Sequence, residues 1–371
     1  MKPGFLQSYL DAFPSIQGFF TFDAALMFMA YNQLVGVSGD VLEIGVHHGL
    51  SAIAIASLAE QGRRFVAVDL FEMQDSNRSR SGAGNREVFV RNMQSFFDNL
   101  DFLQIVAGSS SEVRPETLGS HFSFCHVDGG HSPEETYQDL DLCSNILLPG
   151  GLLALDDYFN PSFPGVSEGA VKFKLDRAET LKPIAIGFNK VLFQKLPAPV
   201  DLNAAFASTF LRIPSQTSIL WDTPVNYFTS SFTPFFDLQN SLEHSLVLKD
   251  QPDVAASFEP QTKRIECEPG QAVTLPVTVQ NRSDASFPHG KATFGLSYHL
   301  LSSTGKILKF DNPRSYFEAP LQPDSSLTVE LTINAPVAPG SYLIEIDLVW
   351  EGMLWFKESG NPTCIVKLIV P

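Results

Sequence analysis

Asp128 is followed 28 and 29 residues later by the adjacent pair Asp156 and Asp157, and His131 lies three residues beyond the first carboxylate. Three acidic side chains and an imidazole are what a hard divalent cation with its own base requires. Each acidic group closes an apolar run, residues 122–127 and 152–155, and a helix-like stretch with the turn Pro149-Gly150-Gly151 lies between the two runs. That is the pattern of a strand, a crossover and a neighbouring parallel strand. Parallel neighbours place their carboxyl ends on one edge of the sheet, where ligands of open α/β sheets bind, so Asp128, Asp156 and Asp157 are expected to converge there.

A second constellation lies upstream. The run 41–44 enters the glycine turn Gly45-Val-His-His-Gly49 and continues into a small-residue helix from Ser51. Twenty residues beyond Gly49 the apolar run 65–68 ends in Asp69, where a carboxylate can accept both hydroxyls of a ribose. Glu43 and Asp69 would then cap two ends of one cofactor. The spacing Glu-x-Gly-x-x-x-Gly, with His47 and His48 where a pyrophosphate needs close backbone approach, favours S-adenosylmethionine over a dinucleotide.

With these residues in view, the chain resembles the class I S-adenosylmethionine-dependent methyltransferases, and within them the magnesium-dependent O-methyltransferases of macrolide and other glycoside sugars. The resemblance covers roughly residues 15–196. It rests on Leu42-Glu-Ile-Gly-Val46 with Gly49 and Ser51, Val68-Asp69, Gly108-Ser-Ser110, His126-Val-Asp-Gly-Gly-His131, Leu148-Pro-Gly-Gly151 and Leu155-Asp-Asp-Tyr158. It implies a doubly wound, seven-stranded Rossmann-like α/β sheet. It also implies a cofactor held by Glu43, Gly45 and Asp69, a metal, Mg²⁺ or another divalent cation, held by Asp128, Asp156 and Asp157, and His131 as base. One departure is the second metal position, often Glu in the nearest relatives and Asp156 here.

The chemistry asks for these residue types independently. A secondary alcohol is a poor nucleophile at neutral pH, and a cation on three carboxylates lowers its pKa while keeping positions for two vicinal oxygens. An imidazole with an ordinary pKa of about 6.5 can take the proton, with general-base assistance on the order of 10²- to 10⁴-fold. The rest is alignment of donor methyl and acceptor oxygen roughly 3 Å apart.

Plainer readings stand beside these. An Asp at a strand end is commonly a helix cap or turn residue, and Asp128 precedes Gly-Gly. Asp156 and Asp157 can close a solvated loop, although adjacent carboxylates repel unless a cation or hydrogen bonds offset the cost. Ser132 and Pro133 read as the cap and first position of a helix, which leaves His131 free to act as base. His47 and His48 are loop residues near the methionine portion of the cofactor. Gly108-Ser109-Ser110 is either a turn or a contact to the adenine. Residues 75–91 are polar and read as a mobile segment over the cofactor edge, where an Arg could meet an anionic substrate, with a solvated loop as the default reading.

Composition sets outer limits. The 371 residues exceed one ordinary domain, and 44% hydrophobic with 18% charged suffices to bury real cores. A net charge of −16 disfavours nucleic acid and anionic membrane surfaces as partners. A small-molecule or glycan acceptor fits better, and a homo-oligomer remains open. No apolar run long enough to span a membrane and no signal-like segment is seen, so a cytoplasmic protein is expected. Cys125 and Cys143 read as reduced core residues, and a Cys267–Cys364 bridge is disfavoured in a reducing compartment.

Along the chain, residues 1–196 are expected to form the methyltransferase-like domain. It begins with an amphipathic stretch at 20–34 and ends in a hairpin of runs 183–186 and 190–194. Residues 197–260 read as an irregular aromatic-rich connection, with Phe206, Phe210, Trp221, Tyr227, Phe228, Phe232, Phe235 and Phe236 packing it or lining an acceptor pocket. Residues 261–371 carry β-rich runs at 272–280, 291–301, 326–333, 341–350 and 363–370, the pattern of an antiparallel β-sandwich. This part resembles the immunoglobulin-like accessory domains of bacterial glycan enzymes, with Trp350, Trp355 and Phe356 as a sugar platform or as core. The reading is an S-adenosylmethionine- and Mg²⁺-dependent O-methyltransferase of a vicinal hydroxyl on a sugar or glycan precursor. Its rivals are a non-catalytic glycan-binding scaffold with a vestigial nucleotide fold, and a metal-dependent hydrolase or NAD-linked enzyme.

Overall fold

The apolar runs of the first half become strands of one sheet because helices cover both faces, which lets residues facing either way be apolar. The computed structural model describes residues 4–371 except 79, 211–212, 214, 230, 242–245, 250–253, 290–293 and 352–353. Contacts divide the chain into Met1–Lys249 and Asp250–Pro371.

In the first unit the strands are β1 (Asp40–Ile44), β2 (Phe65–Asp69), β3 (Leu103–Ala107), β4 (Phe122–Val127), β5 (Leu147–Leu155), β6 (Leu181–Gly187), β7 (Lys190–Lys195), β8 (Gln216–Leu220) and β9 (Thr223–Phe228). They lie in the order β3-β2-β1-β4-β5-β7-β6-β9-β8. The strands from β3 to β5 are parallel neighbours, and β7 runs antiparallel to both β5 and β6. This is the doubly wound seven-stranded α/β arrangement expected from the sequence, with β9 and β8 added beyond β6.

The helices are α1 (Phe5–Ala12), α2 (Phe22–Val35), α3 (Leu50–Ala56), α4 (Arg86–Gln94), α5 (Pro115–Leu118), α6 (Pro133–Ile146), α7 (Pro164–Asp176) and α8 (Leu202–Thr209). Ser132 and Glu135 close a capping box on α6 with Pro133 in its first turn, as the sequence predicts. The expected amphipathic helix at 20–34 differs. Ten of the fourteen residues of α2 are buried, because α2 packs against β5, α3 and α8 at once, and a helix enclosed on several sides loses its polar face.

Residues 202–228 are also more regular than the sequence suggests. Asp201 caps α8 by accepting from the N–H groups of Asn203 and Ala204. The Phe206 ring stacks on Tyr31 of α2 at 4.7 Å and packs on Phe228 at 5.2 Å. Asp23 accepts hydrogen bonds from the Ser231 hydroxyl and the Phe232 N–H, each at 2.8 Å. These ties draw residues up to 249 into the first unit.

The second unit is two sheets sharing a core. One is β10 (Ala256–Pro260), β12 (Ala272–Asn281) and β16 (Ser326–Asn334); the other is built on β11 (Arg264–Glu266), β19 (Cys364–Val370), β17 (Gly340–Trp350), β13 (Phe294–Ser302) and β14 (Ile307–Lys309). Two short strands, β15 (Ser315–Tyr316) and β18 (Leu354–Trp355), pair with β13 and β17. Alternate residues such as Val277, Leu296, Leu331, Ile346 and Val366 fill the interior, the inward half of a period-two pattern. The first residues of the run expected at 291–301 lie outside the described residues. Phe356 lies in the core and Trp350 packs against it, on Phe294 at 4.6 Å, whereas Trp355 is buried apart from it, against His299 at 4.3 Å and Phe310 at 5.4 Å with Arg314 over its ring. The four cysteines are free and buried. No helix among the described residues is long and apolar enough to cross a membrane.

If α8 belongs to the first unit, Phe206→Ala will lower that unit's unfolding free energy by roughly 3–5 kcal/mol, read by denaturant unfolding of the full chain. A detached connector would leave the transition of the parent unchanged.

Candidate active site

A cavity of about 460 Å³ opens at the carboxyl ends of β1, β2, β4 and β5, lined by residues that include Gly45, Ser51, Asp69, Ser109, Asp128, His131, Asp156 and Asp157. That volume suits a small ligand. Glu43 and Gly49 do not line it. Gly49 starts α3 in a left-handed conformation, φ +93°, with the Phe89 ring 3.1 Å from where a Cβ would stand. Gly45 has φ +88°, and a Cβ there would lie 1.8 Å from the Asp128 carbonyl oxygen. Only glycine lets β1 and β4 deliver their loops this close together.

Asp69 stands at the end of β2, where its two carboxylate oxygens accept the His47 N–H at 2.8 Å and the Phe71 N–H at 2.6 Å. This holds the carboxylate at the rim with lone pairs still free. His47 lines the cavity, while His48 does not, and the two rings pack on each other with centroids 4.0 Å apart. The segment 74–84 covers one side through Gln74, Asn77, Arg78, Ser81, Gly82 and Gly84. None of the eight aromatics singled out between 206 and 236 lines it.

His131 is oriented from three sides. Its Nε2 lies 3.1 Å from Asp157 Oδ2, its Nδ1 is 3.0 Å from the Ser81 hydroxyl, and its ring stacks on Phe163 at 3.8 Å. Asp157 adopts φ +59°. Burial would raise its carboxyl, but the adjacent His131 imidazole and hydrogen bonds from Asn160 and Asn189 hold it below the ordinary carboxylate range. Asp128, by contrast, is pushed well up by burial and by repulsion from Asp156.

Two residues absent from the expected site shape its floor. His126 on β4 is fully buried, with Nδ1 2.9 Å from Glu43 Oε1, and burial lowers its pKa to about 3. Burial raises Glu43 to about 8, despite a hydrogen bond from Ser51. Both are therefore neutral near pH 7, a hydrogen-bonded pair without net charge. The other residue is Lys190, 2% exposed, whose ammonium donates to Asp156 Oδ2. The antiparallel register Leu155↔Val191 sets the residue after β5 beside the first residue of β7. A His inside the run Phe-Ser-Phe-Cys-His-Val was a visible sign of the first; nothing local in the sequence marks the second.

The carboxylates expected to hold a metal are thus engaged by donors. Asp156 Oδ1 accepts the Asp157 N–H at 2.7 Å while Oδ2 takes Lys190, and Asp157 Oδ1 accepts the Asn160 and Asn189 amides at 2.8 and 2.6 Å. Ligand atoms that lie within 4.8 Å of one another form two sets sharing Asp128, namely His126, Asp128 and Asp156, and Asp128, His131 and Asp157. The trio Asp128, Asp156 and Asp157 is not one of them, and it does not fit a divalent cation in this arrangement.

Residues 42–158 match the family model of a methyltransferase domain, in keeping with the resemblance seen in the motifs. No curated protein matches the chain. Among solved structures it is similar to the O-methyltransferase NovP, with 19% identity, 44% of this chain and 77% of that chain covered, and a TM-score of 0.38. It is also similar to CalS11, a TDP-rhamnose 3'-O-methyltransferase of calicheamicin biosynthesis, with 19% identity, 52% and 93% covered, and a TM-score of 0.36. An O-methyltransferase from Bacillus cereus in complex with SAH shows 15% identity, 53% and 91% covered, and a TM-score of 0.39.

The Glu43–His126 pair sets a pH dependence. Glu43 moves from an ordinary 4.5 to about 8 on folding, so the stability it lends is full below pH 4.5 and is lost as pH rises toward 8. Glu43→Gln removes that titration and will gain on the parent across this window by on the order of 3 kcal/mol. Thermal melting between pH 4.5 and 8 checks it; parallel curves would remove the buried acid.

Proposed function

We propose that the first unit is an S-adenosylmethionine-dependent O-methyltransferase in which His131 deprotonates the acceptor hydroxyl. The observation that carries this reading is the His131–Asp157 pair in the wall of a cavity that the glycine turn and Asp69 also line. The residues present suit the cofactor. Asp69 offers remaining lone pairs to a ribose diol, Gly45 brings backbone close, and Ser51 and Ser109 add hydroxyls. With Asp156 paired to Lys190 and Asp128 raised by burial, the lining still sets Asp69, Glu135 and Asp157 against Arg78, a balance that favours a sulfonium and an ammonium over a pyrophosphate. Bound there, S-adenosylmethionine supplies a methyl group on a cationic sulfur.

The protein's part is proton removal and alignment. Asp157 near Nε2 favours the tautomer with the proton on that nitrogen, leaving Nδ1 as acceptor. Ser81 Oγ, 3.0 Å from Nδ1, marks where an acceptor hydroxyl would sit. The hydroxyl proton passes to Nδ1 and the resulting imidazolium is stabilised by Asp157. No step runs through a divalent cation. A sugar or glycoside acceptor is supported by Phe19, which lines the cavity and is 84% exposed, offering a flat apolar face, with Gln74 and Asn77 nearby as polar partners.

Calorimetric titration of S-adenosylmethionine, S-adenosylhomocysteine and NAD is the direct test. Binding of the first two at about micromolar Kd, with none of NAD, is expected; the reverse would replace the reading with a dinucleotide enzyme, and binding of none would leave a scaffold. His131→Ala will keep the cofactor Kd within about twofold while methyl transfer to an accepted glycoside drops on the order of 10²-fold. Unchanged turnover would take His131 out of the base role.

A further inference from the structure

We propose that Lys190 stands in for the divalent cation, its ammonium on Asp156 supplying the fixed positive charge beneath the cavity, so that methyl transfer here is independent of metal. This rests on the reading of the cavity as a methyltransferase site. A metal needs carboxylate oxygens directed at one point with no cation already among them. Here Asp156 Oδ1 accepts the Asp157 N–H while Oδ2 already holds the Lys190 ammonium, and Asp157 Oδ1 is turned to two amides. The orientation of the Asn160 amide is settled by its own oxygen, which accepts the Ser162 N–H at 3.0 Å, so the group facing Asp157 is the NH₂ donor.

Lys190 is no mobile surface lysine. It opens β7 and pairs with Gly187 across the hairpin, and its ammonium lies 5.0 Å from the centre of the Phe20 ring. Moving it aside would leave a buried cation unpaired. A divalent cation entering at Asp156 would meet this ammonium at ion-pair range. The other available set, Asp128, His131 and Asp157, would make a ligand of the base itself. Lys190 does not line the cavity, and it acts through Asp156 as a positioning residue.

The test uses the full chain and Mn²⁺ as probe, followed by paramagnetic resonance in the absence of cofactor and acceptor. The parent is expected to bind Mn²⁺ no tighter than about millimolar, Lys190→Arg to behave as the parent, and folded Lys190→Met to bind at least about tenfold tighter as Asp156 is released. Micromolar Mn²⁺ binding by the parent overturns the proposal, as does a folded Lys190→Met that gains nothing. In turnover, chelator is expected to leave the parent rate within about twofold, and a loss of about tenfold or more restored by Mg²⁺ overturns the proposal. Because the Mn²⁺ titration needs neither cofactor nor acceptor, its failure is separate from a failure to bind S-adenosylmethionine.

Discussion

Glu43, Asp128, Asp156 and Asp157 stand together at the carboxyl edge of one sheet, and like charges gathered away from water must be protonated, hydrogen-bonded or paired. Each has its own solution. Glu43 is raised to about 8 and shares a hydrogen bond with neutral His126. Asp156 is neutralised by Lys190. Asp157 is held below the ordinary carboxylate range by His131, Asn160 and Asn189, and Asp128 is raised by burial and by the neighbouring Asp156. Much of the local architecture serves this settlement: the left-handed backbone at Asp157, the hairpin that brings Lys190 across from β5, and the buried histidine between β1 and β4.

The same arrangement separates two kinds of carboxylate. Those at the floor are compensated from within the protein. Asp69 at the rim is held by two backbone N–H groups and presents its remaining lone pairs outward, and Asp157 turns one oxygen to the imidazole. A site built this way favours a cationic, hydroxyl-bearing ligand over a polyanion, and it does so by charge as much as by shape.

The core away from the site follows ordinary burial. The aromatics between 206 and 236 tie α8 and β9 to α2, which explains why α2 has so little polar surface. In the second unit, alternation along β12, β16 and β19 puts one face of each strand into a common interior, against which Trp350 packs, while Trp355 is buried against His299 and Phe310.

Sequence by itself determined the strand and crossover order, the sandwich, the cap of α6 and the convergence of Asp128, Asp156, Asp157 and His131 on one edge. The alternation of strand and crossover, the sandwich and the cap follow from periodicity and turn chemistry, the convergence from the rule that parallel strands share their carboxyl ends, and the seven-stranded order is what the family resemblance implies. It did not determine the burial of α2, the two strands beyond β6, the withdrawal of Glu43 from the cavity or the Lys190–Asp156 pair. Those depend on which elements pack together and on the register between strands distant in sequence. Lys190 shows the reason most clearly: it lies 34 residues from Asp156, and only the antiparallel pairing of β7 with β5 makes them neighbours, because a hydrogen-bond ladder, not a local motif, decides which side chains face each other.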